Sequence, residues 1–278
     1  MQANVRVPRV SRIFVSLASA AVLLAPVHAL AQPASREQRQ AVLGERYHVE
    51  FGTTWWNPAL FGVISSDDLQ VVGSRIDFAS DLGFEKTRFK DFRFVVRPAK
   101  QHRLRAQYTP IEYTAETTFT REITFQGTVF PVSLPIESAF SWRVWRLGYE
   151  YDFLYRSRGF LGVVGEARFI DMTAEVASSF ATERLEAKTV VPAVGVYGRA
   201  YVLPDLAIDF EVSGFNVPEI NGKYNGTFLD WDLHGTVNVT NNLGVQVGWR
   251  KSSTLLTIER DTGDLKFQGL WFGLAMRY

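Results

Sequence analysis

The chain has 278 residues, and 30 lysines and arginines stand against 29 aspartates and glutamates. A charge this close to balance argues against a nucleic-acid partner, because such proteins carry a basic excess. The absence of cysteine excludes disulfide bonds, cysteine metal sites and a lipid anchor attached to cysteine.

The N-terminal residues have the pattern of an export signal. Three arginines precede an apolar stretch, Ile13–Val27, which at about fifteen residues is too short to span a bilayer as a helix. Ala29–Ala31 then fits the small-x-small pattern of a cleavage site. We therefore predict a cleaved signal peptide over residues 1–31, a polar periplasmic leader over 32–44 and one main domain over 45–278. A retained N-terminal anchor is the alternative.

From Glu45 onward, apolar and polar residues alternate with the period of two that is typical of β-strands. In Trp145–Phe153 the odd positions are all apolar, and three of the even ones are charged. Beyond Val144 the apolar phase changes, which predicts a bulge or an exit from a membrane. The predicted strands are Glu45–Trp56, Asp91–Arg97, His102–Tyr113, Ser138–Phe153, Phe160–Val176, Thr189–Leu203, Leu206–Ser213, Gly226–Val239, Leu243–Arg250 and Gly269–Tyr278.

The connections between these strands fall into two alternating classes. Short ones are predicted near 98–101, 154–159, 204–205 and 240–242, and longer ones near 57–86, 115–137, 178–187, 216–223 and 258–264. Val71–Leu82 fits either an extra strand or a folded loop. Ile123–Phe125 and Thr128–Phe130 fit a hairpin above the membrane. The count is therefore about ten strands, with eight to twelve possible.

The length of the strands favours a membrane barrel over a soluble β-sandwich. Sandwich strands average about five or six residues, whereas several here run past ten. The polar face is rich in arginine and carboxylates and poor in lysine, which suits a confined interior where these groups pair. In hydrocarbon every backbone group must be paired, so the sheet has to close. We predict an all-β fold, a closed antiparallel transmembrane β-barrel with short periplasmic turns and longer extracellular loops.

The last strand carries a resemblance to a known class. Its apolar face consists of Leu270, Phe272, Leu274, Met276 and Tyr278. This pattern resembles the C-terminal strand of Gram-negative outer-membrane barrels, which ends on an aromatic residue that the insertion machinery reads. Phenylalanine is commoner than tyrosine at the last position. The resemblance implies a monomer in the outer membrane of a Gram-negative bacterium, with membrane lipid and the barrel-insertion machinery as partners and no nucleic acid.

The polar face of the strands predicts the contents of the lumen. A ten-stranded barrel is narrow, so we expect side chains to fill it as a charge network, and a narrow polar pore is the alternative. The predicted lumen residues are Arg93, Arg103, Arg105, Arg146, Glu150, Glu166, Arg168, Arg199, Asp209, Glu211, Asp230, Asp232, His234 and Arg250.

Catalytic motifs are missing from the sequence. It has no His-x-Ser pattern of outer-membrane lipid hydrolases and no Gly-x-Ser-x-Gly. Asp230, Asp232 and His234 alternate on one strand face, but positions two apart are about 6.6–6.8 Å from each other, too far to complete a metal shell. Omptin-like proteases also have ten strands but place Asp and His at the external rim, whereas His234 is predicted mid-strand.

These observations predict no catalytic, cofactor or metal site, and we expect the protein not to be an enzyme. The predicted role is structural, or an interaction through external loops 57–86 and 115–137. A small-solute channel is the main alternative, and a lipid-modifying enzyme or a protease is the third.

Overall fold

The structure is a computed structural model that describes residues 42–65, 73–220, 224–258 and 261–278. The predicted signal peptide and residues 32–41 of the predicted leader lie outside the described residues. Within the described part of the chain, no helix is long and apolar enough to cross a membrane.

The described residues fold into antiparallel strands, several of them much longer than a bilayer crossing requires. The strands are β1 (Val49–Trp56), β2 (Ala59–Ser65), β3 (Ile76–Asp77), β4 (Phe89–Ala99), β5 (His102–Thr118), β6 (Ile123–Phe125), β7 (Thr128–Phe130), β8 (Pro135–Arg156), β9 (Gly159–Ala177), β10 (Thr182–Tyr201), β11 (Leu206–Ile220), β12 (Tyr224–Asn238), β13 (Leu243–Ile258) and β14 (Asp261–Arg277).

Ten of these strands form a closed wall. Each pairs with the next in the order β1, β4, β5, β8, β9, β10, β11, β12, β13 and β14, and β14 pairs back with β1 from Trp56–Trp271 to Glu50–Arg277. The prediction of a closed all-β barrel of about ten strands is confirmed. Strand β2 follows β1 after Asn57 and Pro58 and extends it. It pairs with residues 262–268 of β14 in the same register in which β1 pairs with residues 271–277.

The two ends of the barrel differ. At one end lie four short turns at 100–101, 157–158, 202–205 and 239–242, and we call it the turn end. The opposite end, the loop end, carries the two long connections, 66–88 and 119–134. The first contains β3, so residues 73–82 of the predicted Val71–Leu82 stretch form a folded loop with only a two-residue strand, and Val71 and Val72 lie outside the described residues. The second contains the predicted hairpin, formed by β6 and β7.

The other three connections at the loop end were predicted too long. Thr182–Lys188 belongs to β10 and pairs with β9. Likewise Asp261–Asp264 pairs with β13, and β11 and β12 pair up to Ile220–Tyr224. These stretches look like loops in the sequence because their outward side chains are polar. They are strand ends that extend beyond the apolar part of the wall, at the loop end.

A belt of apolar side chains surrounds the outer face of the barrel next to the turn end. Exposed members occur on every wall strand, for example Phe94, Leu147, Val163, Leu233 and Val247. All five residues of the terminal pattern, Leu270, Phe272, Leu274, Met276 and Tyr278, are exposed on this face of β14. A soluble monomer rarely exposes an apolar patch of more than a few hundred Å², so the belt is a surface for hydrocarbon.

The aromatic residues divide between the two faces of the wall. Four of the seven tryptophans, Trp55, Trp145, Trp231 and Trp249, are on the outer face, at the edge of the belt nearer the loop end. Tyr47, Trp56, Trp142 and Phe160 are instead buried inside the barrel. Tyr47 precedes β1, so the outward alternation predicted from Glu45 starts only at Val49.

Candidate functional site

The barrel interior changes character along its length, and β8 and β9 show where. Arg146 lies opposite Arg168, and the next inward pair is Val144 opposite Ile170. From this level towards the turn end the inward side chains are mostly charged, and we call this part the charged section. Towards the loop end they are mostly apolar, and we call this part the apolar section.

At the same level the outer face changes from apolar to charged side chains towards the loop end. Trp145 lies opposite Phe169 in the belt, and the next outward pair is Arg143 opposite Asp171. Pairing of β8 with β9 is continuous from Glu137 to Tyr151. The bulge considered near Val144 is therefore absent there, and the change of phase marks the edge of the apolar belt. We call the wall beyond this level, residues 135–143, 171–177 and 182–188 of β8, β9 and β10, the extension.

Glu45 closes the mouth of the charged section at the turn end. Its carboxylate lies 3.1 Å from Arg97, 3.6 Å from Arg103 and 3.7 Å from Arg199. The hydroxyls of Tyr155 and Tyr201 donate to it at 3.2 and 2.9 Å. Since Glu45 precedes β1, the chain folds across the mouth before it enters the wall. Burial and the Glu50 carboxylate raise the pKa of the adjacent Tyr47.

Arg103 is the centre of the next layer. One of its terminal nitrogens lies 2.5 Å from both Glu150 and Asp152. Its guanidinium carbon stands 3.9 Å from the centroid of Phe160, a cation–π contact in a site shielded from water. The adjoining strands hold Glu50 between Arg93 at 3.3 Å and Arg277 at 2.5 Å.

In the middle layer, Arg146 and Arg168 lie opposite each other on paired strands, and carboxylates neutralise both. Glu166 accepts hydrogen bonds from Arg146 at 3.2 Å and from Arg168 at 2.7 Å. Glu211 joins Arg146 to Arg105, at 2.7 and 2.5 Å. Like charges that lie opposite each other in a sheet repel, so these two glutamates allow the arginines to share one level.

His234 lies between two carboxylates in the third layer. Its Nδ1 is 2.7 Å from Asp232 and its Nε2 is 3.4 Å from Asp209. Asp209 also accepts hydrogen bonds from Arg199 at 2.5 Å and Tyr197 at 2.7 Å. The imidazole stands 4.9 Å from the Trp271 ring and is almost completely buried.

The structure places all fourteen predicted lumen residues on the inner face, where the arginines and carboxylates among them form ion pairs and His234 is hydrogen-bonded to Asp232. Nine arginines and ten carboxylates of the described residues take part in the network. Six of these were not in the predicted set: Glu45, Glu50, Asp91, Arg97, Asp152 and Arg277. Asp91, Arg97 and Asp152 share the strand parity of predicted members, and Glu50 and Arg277 lie on the polar parity of β1 and β14, so this signal could have found all five. Glu45 lies outside the strands, so its position depends on how the chain folds over the mouth.

Little room is left between these side chains. A cavity bounded by Glu50, Arg93, Arg103, Glu150 and Arg199 measures about 20 Å³, enough for about one water molecule. Asp230, Asp232 and His234 do not act as one group, because Asp230 pairs with Arg168 at 2.7 Å while Asp232 is hydrogen-bonded to His234. The described residues contain no cluster of three or more candidate metal ligands.

Inward-folded loops fill the apolar section. Phe78 from the first long connection packs against Phe140 of β8, with tilted rings whose centroids are 4.8 Å apart. From the second connection, Ile123, Phe125 and Phe130 have no exposed surface. Trp142, Ile170, Phe267 and other wall residues complete one continuous apolar core. The extension thus has the polarity of a soluble protein, with an apolar inside and a polar outside.

Polar contacts hold the two loops together. Thr124 receives a hydrogen bond from the Ser74 backbone N–H at 2.8 Å and donates its own backbone N–H to the Ser74 hydroxyl at 2.8 Å. Arg121 forms an ion pair with Asp81 at 2.7 Å. Burial raises the pKa of Tyr113, which packs beside these loops. The arrangement is a second closure of the barrel, independent of the charged section.

Comparison with solved structures identifies the fold. OmpT, the outer membrane protease of Escherichia coli, matches with a TM-score of 0.55 and 9% identity, over 83% of this chain and 97% of that one. The fold is that of a Gram-negative outer-membrane β-barrel. At this identity the likeness shows the fold alone.

Two weaker matches add nothing to this assignment. An outer membrane channel from Pseudomonas putida F1 has a TM-score of 0.42 and 10% identity, over 88% of this chain and 100% of that one. Ail of Yersinia pestis, solved with the heparin analogue sucrose octasulfate, has a TM-score of 0.36 and 9% identity, over 81% and 99%. No family model matches the chain, and no curated protein matches its sequence.

Proposed function

We propose that the protein is an integral outer-membrane protein of a Gram-negative bacterium, a closed barrel that neither conducts solutes nor catalyses a reaction. The turn end lies in the periplasm, the apolar belt contacts lipid and the extension stands outside the cell. The observation that carries the proposal is the double closure of the interior, by ion pairs in the charged section and by folded loops in the apolar section.

The extension then provides the functional surface, as a structural element or as a platform for an interaction. The described parts of the two long connections, 73–88 and 119–134, are anchored in the barrel, since Phe78, Phe125 and Phe130 have no exposed surface. What faces water is the outer wall, with exposed charges of both signs such as Arg143, Lys188 and Glu186. The apolar section keeps that wall rigid.

Catalysis has no support among the described residues. OmpT is a protease, but the described histidines of this chain do not lie at the loop end. His48 and His102 are next to the turn end, and His234 is buried among carboxylates. The terminal pattern of β14 is proposed to guide insertion, because its five side chains face the lipid side. We propose that the inserted protein is a monomer.

Planar-bilayer conductance tests the proposal. The wild-type protein should be silent. Arg146→Ala and Glu150→Ala should also be silent, because the apolar section still blocks the path. A variant in which a short glycine–serine linker replaces residues 119–134 should be silent too, and conductance should appear only when that replacement is combined with Arg146→Ala. Steady conductance of the wild-type protein would contradict the proposal and favour a channel.

A further inference from the structure

The wall of the extension has an opening between β10 and β11. Their described pairing ends at Val194–Gly214, whereas β10 continues to Thr182 and pairs there with β9 alone. About twelve residues of β10 thus have no partner strand on the β11 side among the described residues. Elsewhere the neighbouring wall strands β8, β9, β12 and β13 pair along nearly their full length.

The residues at this free edge fit an opening. Pro192 lies two positions beyond the last pair, and proline, which has no N–H to donate, is found in sheets mainly at edges. Val194 and Val190 on the outer face are 67% and 58% exposed. Lys188, the next outward residue, is charged. The opening therefore begins within the apolar belt and continues past its edge into the extension.

An apolar cavity of about 250 Å³ lies behind the opening. Its walls are formed by residues of six strands: Ile64, Trp142, Met172, Leu185, Leu256 and Leu265. Residues 185–188 of β10 line it consecutively, so the cavity contacts the edge of that strand as well as its inner face. The cavity therefore borders the unpaired edge of β10.

We propose that this cavity binds the end of a single alkyl chain, which enters sideways between β10 and β11. An apolar cavity of ~150 Å³ holds benzene, so on that scale this one takes a chain of about ten carbons. The polar head of the same molecule would remain at the unpaired edge of β10, where the exposed residues Glu186 and Lys188 line the cavity. The chain belongs to a free amphiphile or to a lipid of the outer leaflet, and the two share the chemistry that the cavity recognises.

The inference rests on the proposed membrane placement, since the belt sets the height of the opening. It does not depend on whether the barrel conducts. The cavity belongs to the apolar section and is separated from the turn end by the ion pairs of the charged section. A bound chain is thus held at the outer edge of the membrane and is not carried across it.

Photolabelling tests this proposal with the protein in lipid nanodiscs. One arm adds decanoic acid with a diazirine at its terminal carbon, and the other uses a phospholipid with the diazirine at an acyl terminus. Peptide mapping should find label on Trp142, Met172, Leu185 or Leu256. Label from the first arm identifies a free amphiphile, and label from the second identifies a bilayer lipid.

Variants that fill the cavity provide the control. Ala187→Trp should lower cavity labelling about tenfold or more, because its indole would occupy the space that the alkyl chain needs; a tenfold loss corresponds to about 1.4 kcal/mol. Met172→Trp fills it from another strand, in case the first variant does not fold. Ala167→Trp, on the outer face of β9, should leave cavity labelling unchanged.

Labelling of belt residues in all variants shows that the protein is in the membrane. If both arms label only the belt, or if the cavity-filling variants keep full cavity label, the alkyl site is wrong. Absence of belt label as well would instead contradict the membrane placement.

Discussion

Val144 and Arg146 are consecutive inward residues of β8, yet they lie in two different kinds of interior. The Arg146 guanidinium pairs with Glu166 and Glu211, whereas Val144 belongs to the apolar core. Between them the outer face changes from Trp145 to charged residues. One strand thus passes from a membrane environment to an aqueous one without a change of register.

This inversion explains why the barrel is closed twice. Within the apolar belt hydrocarbon covers the outside, so the polar residues are confined to the lumen and must pair with each other. In the extension water covers the outside, so the lumen has to supply the apolar core that any water-soluble sheet needs. The loops 73–88 and 119–134 supply that core because a ring of strands alone leaves its centre empty.

The tryptophans should report the membrane placement. Trp145 is 51% exposed at the belt edge, whereas Trp271 is 1% exposed inside. Lipids brominated near the head group should therefore quench wild-type fluorescence in part, and Trp145→Phe should reduce the quenched fraction. Trp271→Phe should leave the quenched signal unchanged and lower the unquenched one. Equal effects of the two substitutions would contradict the placement of the belt.

Glu211→Gln should destabilise the barrel strongly. The substitution removes the charge that joins Arg105 to Arg146 and leaves two buried arginines short of a partner, which costs about 3–5 kcal/mol in such cases. Glu186→Gln on the outer wall removes an exposed charge worth about 0–1 kcal/mol. Guanidinium unfolding of the two variants in the same detergent compares these costs. Similar midpoints would show that the charged section does not hold the barrel.

Much of the barrel is predictable from the sequence, but the parts beyond the belt are not. Within the belt, strand parity alone assigns Arg93 or Glu166 to the lumen, because lipid on one side forces the alternation. Beyond the belt the inward side chains are apolar and the outward ones are polar. Phe140 and Trp142 therefore look like a register change in the sequence, although the strand is continuous. Neither the pairing of Glu45 across the mouth nor the opening beside Pro192 follows from local sequence, because both depend on distant strands.

Phe125→Ala should loosen the second long connection without opening the membrane part. Phe125 has no exposed surface, and truncation of a buried phenylalanine costs about 3–5 kcal/mol. Trypsin should then cleave faster after Arg121 in the same connection, while the belt remains protected. Val129→Ala, at an exposed position of the same hairpin, is the matched control and should keep the wild-type rate. Equal rates for all three proteins would mean that the hairpin is not packed in the barrel.

Gly62→Ala should disturb the contact between the wall and the first long connection. A Cβ atom at position 62 would lie 2.6 Å from Cδ2 of Phe78, and Phe78 has no exposed surface and little space to move. We expect a loss of about 1–3 kcal/mol from overpacking. Gly263→Ala, on β14 with nothing within 4 Å of the added Cβ, should be close to neutral. Unfolding midpoints measure both, and a neutral Gly62→Ala would show that Phe78 does not pack against β2.

Cysteine pairs should map the opening between β10 and β11, and the chain has no natural cysteine to interfere. Val196 lies opposite Val212 in the last paired part of the two strands. Cysteines at this pair should form a disulfide readily, since partner Cα atoms in a ladder lie within the 4.4–6.8 Å that the bond requires. Cysteines at Pro192 and Asn216, which would be opposite if pairing continued, should oxidise slowly or not at all. Equally rapid oxidation of both pairs, followed by gel mobility with and without reductant, would show that the wall is closed there.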